Sequence, residues 1–323
     1  MLSGKSFMIT GATGRLGCET AARLEQLGAN VIPVALKGYP PKPKRVRWTA
    51  RSKPVNIMDG KGLKDIKPPD YVINLHWLVD RELSFTDQLQ YELDSGVSRI
   101  SYFWDWLKEL SCHRFVNISS TKVFSHLNLN PISAETDPRP ISPYGLAKLT
   151  AERFFDAYLY QSNFPVIQLR LCSVASYGEH PTHIMSQLFC SAFKKKAIKV
   201  NSSHTMNILY IDDAVDLIIN AALHADKSIY ILATPPIAVY EIARRFEEIS
   251  RKKLNAEFVD SDPKLTNPVF QSDIELLSAS WIRKTDLDSM IDKIIDLNLF
   301  HSRVSGDLEA KFNFKQNDQL PYH

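Results

Sequence analysis

The sequence predicts an α/β fold built on a doubly wound parallel sheet. Short apolar segments alternate with amphipathic helical stretches along most of the 323 residues, the arrangement expected of a parallel sheet with helices on both faces. A glycine-spaced turn follows the first apolar segment, and hydroxyl-rich turn residues follow a later one.

Ser6 to Thr10 is an apolar run bounded by turn residues and predicts the first strand. Gly11-Ala12-Thr13-Gly14-Arg15-Leu16-Gly17 comes next, and from Cys18 to Leu27 apolar residues recur at helical spacing. Strand, tight turn and helix in that order place glycines where a backbone can approach a pyrophosphate. Its charge then meets the unpaired N–H groups and dipole of the helix N-terminus. The spacing is G-x-x-G-x-x-G, and three such glycines also suit a turn that binds nothing. Further strands are predicted at 30–36, 54–57, 70–75, 114–118, 166–172 and 228–232.

After the strand Arg114 to Ile118 come Ser119, Ser120 and Thr121, at the carboxyl edge that lines the ligand crevice of an open parallel sheet. Serine there also reads as an ordinary turn or helix cap. Ser142 to Phe155 reads as a helix opened by Ser142 and Pro143. Tyr144 and Lys148 lie four apart and share a face of it. An ammonium beside a phenol favours phenolate and brings the tyrosine towards the working pH of a general acid or base. The same pair also occurs on solvated helices.

Taken together, the glycine turn, the Ser119-Ser120-Thr121 segment and Tyr144-Gly145-Leu146-Ala147-Lys148, with 24 positions from Ser120 to Tyr144, resemble an extended short-chain dehydrogenase/reductase of the NAD(P)-dependent nucleotide-sugar epimerase, dehydratase and reductase superfamily. The resemblance covers nearly the whole chain. It implies a Rossmann domain over 1–176, also receiving about 206–233. It further implies a smaller substrate-binding lobe from 177–205 and 234–300, and leaves a polar tail at 301–323. Asn207 to Ala214 resembles the family's hydrophobic-aspartate segment before a late helix.

The resemblance also assigns roles. Gly11, Thr13, Gly14, Arg15, Leu16 and Gly17 would hold the dinucleotide, and Asp59 resembles the adenine-contacting aspartate. Tyr144 would be the acid–base group, Ser120 would orient the reacting oxygen with Thr121 as the fallback, and Lys148 would bind the nicotinamide ribose and tune the phenol. Charge speaks to the choice of cofactor. An NAD site usually ends its second strand in an acid, whereas this strand ends in Lys37 and is followed by Lys42, Lys44, Arg45, Arg47, Arg51 and Lys53. NADP is therefore expected in preference to NAD, against the alternative of a merely solvated proline-rich loop.

Departures from the family narrow the reaction. Thr121 and Lys122 stand where sugar dehydratases carry an acidic pair, and Lys122 also stands where dual epimerase-reductases need a cysteine. His180 lies out of register with their histidine. NADPH-dependent 4-keto reduction of a nucleotide-activated sugar is the expected activity. The alternatives are an NAD-dependent 4-epimerase, a reductase of a non-sugar carbonyl, and a non-catalytic dinucleotide-binding regulator. Met206 or Asn207 replaces the arginine that grips the nucleotide diphosphate in many relatives, and Lys194, Lys195 and Lys196 are substitute contacts or a solvated helix end. His76-Trp77 replaces the family's alanine pair after the fourth strand. Trp77 there reads as a stacking surface for substrate or as a core aromatic.

A formal net charge of +3 is too small to imply a nucleic acid or membrane partner, and 44% hydrophobic content is ordinary for a globular protein. Cys18, Cys112, Cys172 and Cys190 are scattered, with no metal-type pair and no secreted framework, so no metal is expected. No stretch is as apolar as a membrane span, and the first strand leaves no room for a leader; a cytoplasmic location is expected. The resemblance implies a homodimer through helices near 97–110 and 143–160, the first carrying Tyr102, Phe103, Trp104, Trp106 and Leu107.

Overall fold

The computed structural model describes residues 2–35, 55–56, 63–80, 82–128, 131–162, 164–202, 204–259, 268–277 and 285–304. Lys37, Asp59 and the basic stretch from Lys42 to Lys53 lie outside the described residues, as does the tail beyond residue 304.

Seven parallel strands form the central sheet in the order β11-β6-β5-β4-β1-β2-β3. They are β1 (Ser6–Thr10), β2 (Asn30–Ala35), β3 (Val55–Asn56), β4 (Tyr71–Asn74), β5 (Arg114–Ser120), β6 (Val166–Leu171) and β11 (Ile229–Leu232). Each falls within a predicted strand except β5, which runs on through Ser119 and Ser120. Strand order reverses between β1 and β4, so the crevice of this doubly wound sheet opens above their carboxyl ends.

Alternation along the strands divides the core. Phe7 and Ile9 of β1 enter one apolar cluster, and Met8 between them enters another on the opposite face. The first face is covered by α1 (Arg15–Gln26) and a later helix. The second is covered by α2 (Phe85–Gly96), α3 (Ser101–Lys108) and α4 (Pro143–Tyr158). Phe103, Trp104 and Leu107 of α3 are buried in that second cluster. The aromatic excess read as a subunit surface is therefore in good part core.

The later chain adds β7 (Ser173–Ala175), α5 (Ile184–Lys194), β8 (Ile198–Asn201), β9 (Thr205–Met206) and β10 (Ile208–Tyr210). The second helix of the first face, α6 (Ile211–His224), follows and returns the chain to β11. Beyond β11 come β12 (Ile237–Ala238), α7 (Val239–Ser250), β13 (Ala256–Val259), α8 (Ile274–Leu277) and α9 (Leu287–Val304). β13 pairs with β8 and β12 with β9, which joins the two chain segments expected to build the smaller lobe.

A buried chain of amides fixes α4 against the sheet. Thr10 donates to Asn74, Asn74 to Asn117 at 2.9 Å, Asn117 to Gln168 at 2.8 Å, and Gln168 to Asp156 of α4 at 2.8 Å. Every polar group in this run finds a partner, as burial requires.

Candidate active site

The glycine turn is shaped by backbone contact. Gly11 has φ +66°, and a Cβ on it would come within 2.7 Å of the Leu75 carbonyl oxygen beyond β4. A Cβ on Gly17 would come within 2.2 Å of the Gly11 oxygen. Only glycine lets the turn close between β1 and α1 at these two places. Gly14 is exposed at the N-cap of α1, no side chain caps the first turn, and no acid lies in it. Uncapped N–H groups with no competing carboxylate fit a dinucleotide pyrophosphate.

Arg15 points elsewhere, forming an ion pair at 3.8 Å with the buried Glu179 between β7 and α5. Tyr177 donates to Glu19 of α1 at 3.0 Å from the same connection. The segment leading into the later lobe is thus tied to the first helix after the glycine turn.

Across the crevice, α4 begins as the sequence predicts. Ser142 Oγ accepts from Gly145 N–H at 3.0 Å and Pro143 occupies the first turn. Gly145 lies hard against the turn after β5, where a Cβ would sit 2.1 Å from the Lys122 carbonyl oxygen. That contact brings Tyr144 to the end of the strand carrying Ser120. The Ser120 side chain is buried, and its oxygen accepts from Lys122 N–H at 3.2 Å. Its neighbour Ser119 has a buried hydroxyl with no hydrogen-bond partner among the described residues.

Lys148 completes the group. Its ammonium donates to the Ile118 carbonyl at 3.0 Å, stands 5.8 Å from the centroid of the Tyr144 ring, and lies 3.9 Å over the ring of Trp77. Ring contacts of that kind contribute about 0.5–2 kcal/mol to holding a cation. Burial pushes Lys148 down to about 7 from 10.5, while the nearby carboxylates Glu92 and Glu152 work to keep it charged. His76, beside it, is held below its ordinary value by burial, and its Nε2 lies 3.0 Å from the Ser95 carbonyl.

Glu92 and Gly96 are residues that sequence reasoning missed, and Trp77 was read there only as a stacking surface for substrate or a core aromatic. The only signal was the His76-Trp77 departure itself, and Trp77 proves to be a half-buried platform for Lys148. Asn207 is buried and bonded to Thr234, and Met206 pairs in β9 with Ile237, so neither supplies a cation for a diphosphate. His180 is an ordinary loop histidine, 2.9 Å from Thr182 Oγ1. Lys194 to Lys196 end α5. Among the described residues no cluster of three or more His, Cys, Asp or Glu could hold a metal, and no helix is long and apolar enough to cross a membrane.

A glycine turn at the switch point of a doubly wound sheet, facing a helix that carries a tyrosine and a lysine one turn apart, defines a dinucleotide-binding protein of the short-chain dehydrogenase/reductase class. The chain belongs to the NAD dependent epimerase/dehydratase family, whose model matches residues 7–233. Similar solved structures include UDP-glucuronic acid 4-epimerase from Bacillus cereus in complex with UDP-glucuronic acid and NAD. That structure is 20% identical, with a TM-score of 0.76, and the match covers 91% of this chain and 99% of that one. UDP-N-acetylglucosamine 4-epimerase from Methanobrevibacter ruminantium, in complex with UDP-N-acetylmuramic acid, is 14% identical with a TM-score of 0.80, covering 92% and 99%. Among curated proteins, a Bacillus subtilis protein described as an uncharacterized UDP-glucose epimerase, YtcB, is 23% identical over 158 residues. The match takes in 47% of this chain, which spans about half (50%) of that relative's length.

Proposed function

We propose that this chain is an NAD-dependent nucleotide-sugar 4-epimerase. The single observation that carries the reading is the meeting of Tyr144, the Lys148 ammonium and the Ser120 strand end opposite an uncapped glycine turn. The family's own description and the UDP-sugar epimerases among its structural neighbours favour epimerisation over the 4-keto reduction expected from the sequence. The Bacillus cereus neighbour is in complex with NAD, whereas the basic stretch that suggested NADP lies outside the described residues.

Gly11, Thr13, Gly14, Leu16 and Gly17 would hold the dinucleotide through the backbone of the turn, with Lys148 reaching its nicotinamide ribose. When bound, the nicotinamide ring accepts and returns hydride. The chain's own groups manage the proton. Tyr144 takes the proton from the sugar O4 and later gives it back, as a phenol next to an ammonium can do near neutral pH. Ser120 Oγ, fixed at the end of β5, hydrogen-bonds the same oxygen and orients it. Lys148 charge favours the phenolate form of Tyr144. A homodimer through α3 and α4 is part of the same proposal, and sedimentation as a monomer at micromolar concentration would contradict it.

Incubation of UDP-glucose with the protein and NAD tests the reaction. Conversion to the C4 epimer with no net change in nicotinamide absorbance is expected. Stoichiometric oxidation of NADPH by a 4-keto nucleotide sugar, without epimerisation of UDP-glucose, would establish the reductase in its place.

A further inference from the structure

Trp77 is fixed by three contacts made by different parts of its indole. Nε1 donates to Glu92 Oε2 at 2.8 Å. The six-membered edge lies so close to α2 that a Cβ on Gly96 would come within 2.4 Å of Trp77 Cζ3. One ring face carries the Lys148 ammonium at 3.9 Å. Glu92 is fully buried, and its other oxygen accepts from Gln88 at 2.7 Å. A tryptophan that merely fills a core needs neither a buried carboxylate at its nitrogen nor a cation on its face.

We infer that Trp77 and Glu92 are positioning residues that hold the Lys148 ammonium beside Tyr144. The inference rests on the acid–base role proposed for Tyr144 and Lys148. Mechanically, Gln88 and Glu92 set the angle of the indole, Gly96 closes behind it, and the ring face confines the Nζ between itself and the Ile118 carbonyl. Electrostatically, the groups facing Lys148 are Glu92 from α2, Tyr144 and Glu152 from α4, and His76 from the segment after β4. Burial disfavours the charged form of His76, and the ring and the two carboxylates oppose the loss of the Lys148 proton that burial alone would cause.

Nuclear magnetic resonance of the full chain, labelled at its lysine ε-carbons, tests this without depending on turnover. Lys148→Met identifies the resonance by its disappearance. Glu92→Gln keeps an acceptor for the indole and removes the charge; it is expected to lower the Lys148 midpoint by at least about 0.5 pH unit. Gly96→Ala, which drives the indole out of place, is expected to move it in the same direction. Trp77→Phe keeps a ring and loses the N–H, so a smaller downward shift is expected and the test survives if Gly96→Ala fails to fold. Glu241→Gln, in the first turn of α7, serves as the remote control and is expected to leave the midpoint alone. In turnover of UDP-glucose by the NAD-loaded protein, the alkaline limb of the kcat profile should move to lower pH in Glu92→Gln. An unmoved Lys148 midpoint in Glu92→Gln overturns the inference, whatever happens to kcat. A moved midpoint in a protein that never turns over UDP-glucose supports the positioning and counts against the proposed reaction alone.

Discussion

In α4, Glu152 meets Arg170 of β6 through two bonds of 3.1 and 2.7 Å, both residues being buried. One turn nearer the N-terminus, the buried Lys148 rests on a carbonyl and an aromatic face, and among the described residues no carboxylate forms an ion pair with it. The first arrangement is a closed bidentate pair that satisfies its own charges and fixes the helix to the sheet. The second leaves a cation at the crevice, steadied but not neutralised, where a phenol and a ligand can use it. Burial of charge in one helix thus serves structure at Glu152 and chemistry at Lys148, one turn earlier.

The sharpest way to break this contrast is at Tyr144. Tyr144→Phe should lower turnover of UDP-glucose by about 10²–10⁴-fold, with NAD affinity by calorimetry and thermal midpoint unchanged. Retained turnover would remove the first turn of α4 from the chemistry. Arg170→Met addresses the Glu152 pair. It strands Glu152 as an uncompensated buried charge and should cost about 3–5 kcal/mol in denaturant unfolding, whereas a cost below about 1 kcal/mol would put the pair on the level of a surface bridge.

Lys148→Met should do the reverse, losing turnover without losing stability at neutral pH. The sign follows from its depressed value. Between about 7 in the folded protein and 10.5 in the unfolded chain, the unfolded state holds a proton that the folded state does not, so stability rises with pH across that window. Cys18 and Cys112, pushed up by burial to about 12 from 9.0, act in the opposite direction above pH 9. The rise should therefore be visible between pH 7 and 9 and should flatten in Lys148→Met; an unchanged slope would show that Lys148 is not desolvated. Ser120→Ala is the mildest of these changes, expected to lower kcat by about tenfold with little effect on KM. A change confined to KM would make Ser120 a binding group.

The strands of the sheet were legible in the sequence because a parallel sheet covered by helices on both faces is built from short apolar runs, as in β1 and β4. The glycine turn and the Tyr144/Lys148 pair were legible because their roles depend on local spacing. The helix Phe85–Gly96 was not, since the face it buries is made of Gln88, Glu92, Ser95 and Gly96, which leaves no apolar stripe to read. For the same reason the support around Lys148 was hidden: Trp77, Glu92 and Lys148 meet only after β4, α2 and α4 have packed. The arginine missing near Asn207 was legible as a gap, and the bond from Asn207 to Thr234 explains what that position does in its place.

The most direct measurement follows the sugar itself. UDP-glucose carrying deuterium at C4 is incubated with the protein and NAD, and the products are read by nuclear magnetic resonance and mass. A C4-epimerising site predicts UDP-galactose with the label still on C4. Absence of the C4 epimer, or an epimer whose deuterium has exchanged with solvent, would contradict it.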